Sequence, residues 1–187
     1  MKLLLNILLS LCFLASFTAC GDQTVTFDDQ WKLDNEKQFE KIASDPAYKD
    51  NKITALSGKD AYIVYKSLEK ADDDSPRPAF TDYVKVYYTG WYKFDWSQGD
   101  TYPGDDGDTF TNKREFVYSR DNIPSTLAVS SGIVEGLSLA LQHMKVGDKW
   151  EIWVPWSLGY GSSGYASLNI KGYTTLVYEV ELVEIVE

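Results

Sequence analysis

Two cysteines and one histidine among 187 residues leave little for the commonest catalytic and metal-binding chemistries. His143 falls at the end of a helix-like segment and reads as a surface residue, so neither a Ser-His-Asp set nor a Cys/His metal cluster is expected around it. No cofactor and no metal site are expected. Cys12 lies inside an N-terminal apolar run that reads as a removable leader, which leaves Cys20 without a partner and excludes an internal disulfide in the mature chain. That chain, roughly 165 residues, must hold together by its core alone and is long enough to do so as one domain. Positive charge is scarce too: 18 Lys and Arg against 28 Asp and Glu give a net −10, and removing Lys2 with the leader makes it −11. This argues against nucleic acid as a partner and against a polybasic membrane contact. The acidic runs Asp72-Asp73-Asp74 and Asp100, Asp105, Asp106, Asp108 match no calcium-loop spacing and read as solvated loops.

What is present begins with Met1-Lys2 and an apolar stretch from Leu3 to Phe17, a leader pattern too short for a comfortable membrane span. It ends Phe17-Thr18-Ala19-Cys20-Gly21, where small residues before a cysteine resemble a bacterial lipobox, although Phe17 departs from its usual aliphatic residue. The expectation is a lipoprotein signal over 1–19 and lipidation of Cys20. The chain would then be held to a bacterial membrane by that anchor, in the cell envelope, facing the periplasm or the cell surface. Residues 20–58 read as a tether and helical extension. Asp28–Ser44 carries a narrow apolar stripe with Trp31, Phe39 and Ile42, and Pro46 gives a stop, so one or two short helices that pack on the following domain are expected.

Residues 59–187 read as the domain proper, and several of their segments alternate like strands of a half-buried sheet. Ala61–Leu68 is β-branched and aromatic. Tyr83–Thr89 sets Val84, Val86 and Tyr88 on one face, Lys149–Val154 does the same with Trp150, Ile152 and Val154, and Thr175–Val186 with Leu176, Tyr178, Val180 and Leu182. Arg114–Ser119 reads as another strand, and Phe94–Gly107 as an excursion between strands. Ile133–Met144 has apolar residues at helical spacing, with Ser130 or Ser131 able to cap its start and Gly147 just past its end. The pattern predicts an α+β fold in which a curved antiparallel β-sheet wraps around a short α-helix.

Several blocks stand in a telling order: Tyr88-Thr89-Gly90, Gly107-Asp108-Thr109-Phe110, Ile133-Val134-Glu135-Gly136-Leu137, Met144–Lys149, Gly159-Tyr160-Gly161 and Thr175–Leu182. Together they resemble the FKBP-type peptidyl-prolyl cis-trans isomerases over about Ala61–Ile185. The resemblance implies rotation about X–Pro bonds, aiding the folding of exported proteins, by a monomer that takes proline-containing segments and macrolide inhibitors. It implies Tyr160, Tyr88 and Phe110 as catalytic residues, Tyr160 donating its hydroxyl to a substrate carbonyl. Ile133, Val134, Leu137, Ile170, Tyr178 and Thr111 would complete the pocket, with the Val134 backbone N–H binding a second carbonyl.

The chain departs from the family pattern at four places. Thr111 stands where Asp usually follows the residue matching Phe110, an acid that the alternative alignment of Phe94-Asp95 would restore. Leu137 replaces the usual floor Trp. Ser125 and Leu127 occupy places often aromatic, and Lys171-Gly172 replaces a proline pair in the flap. Reduced activity follows as an expectation, and with it an alternative reading as a catalytically weak or inactive peptide- or ligand-binding module. Trp91, Trp96, Trp150, Trp153 and Trp156 suggest stacking on sugars or peptides as one form of it. Trp150 is expected in the core, the others on loops.

Overall fold

The computed structural model describes residues 26–57, 60–104, 108–119 and 123–186. The leader, Cys20 and the Asp105–Gly107 stretch lie outside them. The described residues begin with one 17-residue helix, α1 (Phe27–Ala43), longer than the one or two short helices expected. Thr26 explains its start: its side chain accepts from Asp29 N–H while the Asp29 carboxylate accepts from Thr26 N–H, a reciprocal capping box.

Among the described residues nine strands follow. β1 (Lys52–Thr54), β2 (Tyr62–Glu69), β3 (Tyr83–Lys93), β6 (Lys113–Tyr118), β7 (Ser125–Ala128), β8 (Lys149–Val154) and β9 (Leu176–Val186) form one antiparallel sheet in the order β1-β2-β8-β9-β3-β6, with β7 also on β3. β4 (Thr101–Pro103) and β5 (Thr109–Thr111) pair only with each other and constitute the excursion. A short helix, α2 (Glu135–Leu141), sits against the sheet through Leu137, Ala140 and Leu141, which join Ile63, Val84, Val86, Ile152, Val154, Val180 and Leu182 in the main core. The expected sheet wrapped on a short helix is therefore present. α2 is shorter than the sequence spacing predicts, and its cap is Val134 with no side-chain hydrogen bond, not Ser130 or Ser131. Gly132, at φ +75°, turns the chain into it, which places both serines too far back to cap.

The opposite face of the sheet is not left to solvent. Phe39 and Ile42 of α1 pack with Tyr48, Val64, Trp153 and Val177, and Trp91 and Trp96 flank them. Trp153 is thus buried under α1 and is no loop decoration: alternation puts it opposite Ile152 and Val154, on the face α1 covers. Asn35, one turn from both Trp31 and Phe39, is fully buried in the same stripe and fully bonded.

Candidate functional site

Most of the residues expected to line the pocket gather where α2, the end of β3, β6 and the 159–175 flap meet, a constellation called the cup below. Its floor and far wall are Leu137 and Tyr178, each 2 % exposed, and Ile170, 3 % exposed. Tyr88, Ile133, Val134 and Tyr160 pack on the same core around them. The near wall is Phe116. Its ring meets Tyr178 edge-on at 5.6 Å and Tyr160 edge-on at 6.5 Å, and lies 6.4 Å from Tyr92.

Phe116 reaches the cup because of a β-bulge. Gly90 pairs with Val117 and Trp91 with Glu115, so Phe116 is the extra residue in β6. The bulge swings its side chain inward beside that of Val117, and both contact the core. Gly90 makes the space: a Cβ there would lie 2.7 Å from Tyr178 Cε1, 2.7 Å from Val117 Cγ1 and 2.8 Å from Phe116 Cζ. The glycine of the Tyr-Thr-Gly block is therefore a close-approach position that gives the cup its depth.

This corrects the expected wall. Phe110 lies on β5, 52 % exposed, stacked on Tyr102 at 5.9 Å, and Thr111 beside it is exposed and paired with Thr101. Neither joins the core cluster, because β5 is consumed by its hairpin with β4. The alternative Phe94-Asp95 fails as well: the Asp95 carboxylate accepts from Ser97, and Phe94 leans on Tyr92 from outside. The residue after Phe116 is Val117, so no carboxylate follows the wall aromatic. Ser125 faces Ser119, their hydroxyls 3.3 Å apart, and Leu127 packs on the core. Sequence reasoning had the signal for Phe116 in the Arg114–Ser119 strand, but the bulge that aims it left no trace in the alternation.

The flap is built by close backbone crossing. Tyr165 N–H donates to Ile170 O at 2.7 Å and Ile170 N–H to Tyr165 O at 3.1 Å. Gly172 passes so near Ser162 that a Cβ would sit 1.9 Å from its carbonyl oxygen. This is why a glycine stands at this place. Tyr165 stacks parallel on Tyr160, with 5.1 Å between centroids.

Burial, then the nearby Tyr165 and Tyr88, hold the Tyr160 phenol above its ordinary pKa, and burial does the same for Tyr88 and Tyr178. All three stay protonated donors. Among the described residues no hydrogen bond is made by the Tyr160 hydroxyl or by Val134 N–H, so both donors are unspent. His143 is exposed, with Nδ1 2.8 Å from Leu139 O and far from this constellation in the chain's packing. Among the described residues no group of His, Cys, Asp and Glu is placed to hold a metal ion. The arrangement is an apolar, aromatic-walled recess with two unspent hydrogen-bond donors, suited to a compact ring flanked by carbonyls.

Comparison with known proteins bears on family and fold. The model of the FKBP-type peptidyl-prolyl cis-trans isomerase family matches residues 75–183. The FKBP-type 22 kDa peptidyl-prolyl cis-trans isomerase of Escherichia coli is 38 % identical over 108 residues, 58 % of this chain and 43 % of that protein. The FKBP-type isomerase FkpA of Aeromonas hydrophila is 29 % identical over 158 residues, 84 % of this chain and 49 % of its own length. The chain thus spans less than half the length of these relatives. Among solved structures, a peptidyl-prolyl cis-trans isomerase from Pseudomonas syringae superposes with a TM-score of 0.59 at 24 % identity, over 84 % of this chain and 96 % of that one. On the family match and the fold together, the chain belongs to the FKBP-type peptidyl-prolyl cis-trans isomerase family.

Proposed function

We propose that this protein catalyses cis–trans isomerisation of X–Pro bonds in exported proteins while anchored to the cell envelope as a monomer through a lipid on Cys20. The observation that carries the isomerase reading is the cup itself: Phe116, Tyr178, Leu137 and Ile170 around a recess whose free donors are Tyr160 Oη and Val134 N. The barrier to be lowered is lost amide resonance, about 18–20 kcal/mol, and no bond breaks. The catalyst needs no nucleophile or general base. A dry apolar wall disfavours the planar, charge-separated amide, and fixed donors hold the carbonyls of the twisted form.

The test is exchange spectroscopy on X–Pro peptides with the chain from Gly21 onward. Acceleration supports the reading; no acceleration by a folded protein refutes it. Val117 in place of an acid favours one second reading, a peptide- or macrolide-binding module with slow turnover, which measurable affinity without acceleration would select. Sugar stacking has no such support, because Trp91, Trp96 and Trp153 lie within 5.4–6.2 Å of one another under α1. The anchor rests on the leader pattern alone. Cys20→Ala releases the protein from membranes if it is right, and retention refutes it.

A further inference from the structure

We propose that α1 is a working part of the substrate cup, with Trp31 and Asn35 as positioning residues that hold the 159–175 flap in place; this rests on the isomerase reading above. The flap carries Tyr160 near its start and Ile170 near its end, so its placement sets the cup's dimensions. Apart from Ile170, Thr174 and Thr175 its residues are exposed or half-buried, the kind of segment that opens at low free energy.

Three successive turns of α1 grip it. In the second turn, Trp31 Nε1–H donates to Gly172 O at 3.0 Å, and Lys32 Nζ lies 5.1 Å from the Tyr173 ring centroid. One turn on, the Asn35 carboxamide oxygen accepts from Thr175 N–H at 2.9 Å and the Asn35 backbone carbonyl accepts from Thr175 Oγ1 at 3.0 Å. Glu36 Oε1 accepts from Trp156 Nε1–H at 3.0 Å, at the flap's entry. At the helix start, Lys171 Nζ lies 4.0 Å from the Phe27 ring centroid and 3.9 Å from Asp28 Oδ1. Both legs of the flap, at 156 and at 171–175, are therefore tied to one rigid helix face at i, i+4 spacing.

Trp31 also divides α1 by role. It belongs to the core cluster that contains Tyr178 and Ile170, whereas Phe39 belongs to the separate cluster on the other face of the sheet. A flap held before substrate arrives spares the cost of ordering it during binding, so loss of the grip weakens binding and leaves the chemical step alone.

The experiment compares Trp31→Phe and Asn35→Ala with Phe39→Leu in the full chain, reading KM and kcat on an X–Pro peptide, amide hydrogen exchange over 159–175, and Tm. Trp31→Phe keeps an aromatic ring and deletes the donor. Expected are a KM raised and flap exchange accelerated about 2–10-fold, the worth of one net hydrogen bond, with kcat unchanged. Phe39→Leu is expected to lower Tm while leaving KM and flap exchange alone. Unchanged flap exchange in Trp31→Phe overturns the proposal, as does an equal rise of KM in Phe39→Leu. If the wild-type protein accelerates nothing, the isomerase reading fails separately. Peptide affinity then replaces KM, and flap exchange still decides.

Discussion

Replacing Phe116 and Phe110 by alanine, one at a time, separates the two possible pocket walls. Phe116 is half-buried, flanked by Tyr178, Tyr160 and Tyr92, and supplies the near face of the cup. Losing it removes apolar surface from both the protein and the bound proline ring. A full aromatic burial is worth about 1.5–3 kcal/mol, and a face shared with substrate about half of that. That corresponds to kcat/KM lower by roughly 3–12-fold, at 1.4 kcal/mol for each factor of ten. Phe110 stacks on Tyr102 in a separate hairpin and is more than half exposed, at 52 %. Its truncation is expected to shift stability by only about 0.5 kcal/mol and kcat/KM by less than about twofold. The assay is protease-free exchange on one X–Pro peptide, with circular dichroism and Tm as the folding controls. A Phe110→Ala loss as large as that of Phe116→Ala would refute the geometry.

Four further outcomes test the cup and its surroundings. Tyr160→Phe is expected to lower kcat/KM about tenfold by deleting a donor to the carbonyl, with Tm unchanged; an unchanged rate removes Tyr160 from the mechanism. Gly90→Ala drives a methyl into Tyr178, Val117 and Phe116 and is expected to cost about 1–3 kcal/mol and most of the activity. Gly99→Ala, whose Cβ meets only Thr101 O at 3.4 Å, is expected to be neutral in both thermal melts and rate. Burial holds Tyr178 above its ordinary pKa and Tyr48 likewise, the latter helped by the Glu151 carboxylate it bonds. The folded state then keeps protons that the unfolded chain loses above about pH 10, so stability is full below that pH and falls above it. Tm measured from pH 8 to 11 should show this fall, and Tyr178→Phe should flatten it; a Tm rising with pH contradicts the assignment.

The sheet was legible because burial on one face imposes period 2, which β3 follows and which β8 and β9 follow except at Trp153 and Val177, buried on the second face under α1. β1 and β7 were not, being three and four residues long and set on their partners by register with β2 and β3 rather than by any pattern of their own. α1 was legible as a helix from its stripe. Its grip on the flap was not, because Asn35 in the middle of an apolar stripe reads as a flaw until Trp96, Thr175 and Trp31 are seen to satisfy it.

Phe110 and Phe116 show where sequence reasoning on the cup stops. Phe110 lies in the excursion and Phe116 just after it, both in strand-forming segments and six residues apart. A motif match favours Phe110, since glycine and threonine lead into it. Space decides otherwise, because only a strand paired with β3 can deliver a side chain beside Gly90, and β5 pairs with β4 instead. Even within β6, strict alternation would send Phe116 and Val117 to opposite faces. The bulge at Phe116 cancels one step of the alternation and brings both to the core side. A bulge costs one unpaired residue and leaves no mark in composition, so the aromatic wall and the apolar neighbour that replaces an acid are properties of strand register. The demand for glycine at position 90 is the trace they leave in the sequence: the Tyr-Thr-Gly block can be read as a statement that some ring must lie within 3 Å of where a Cβ would be.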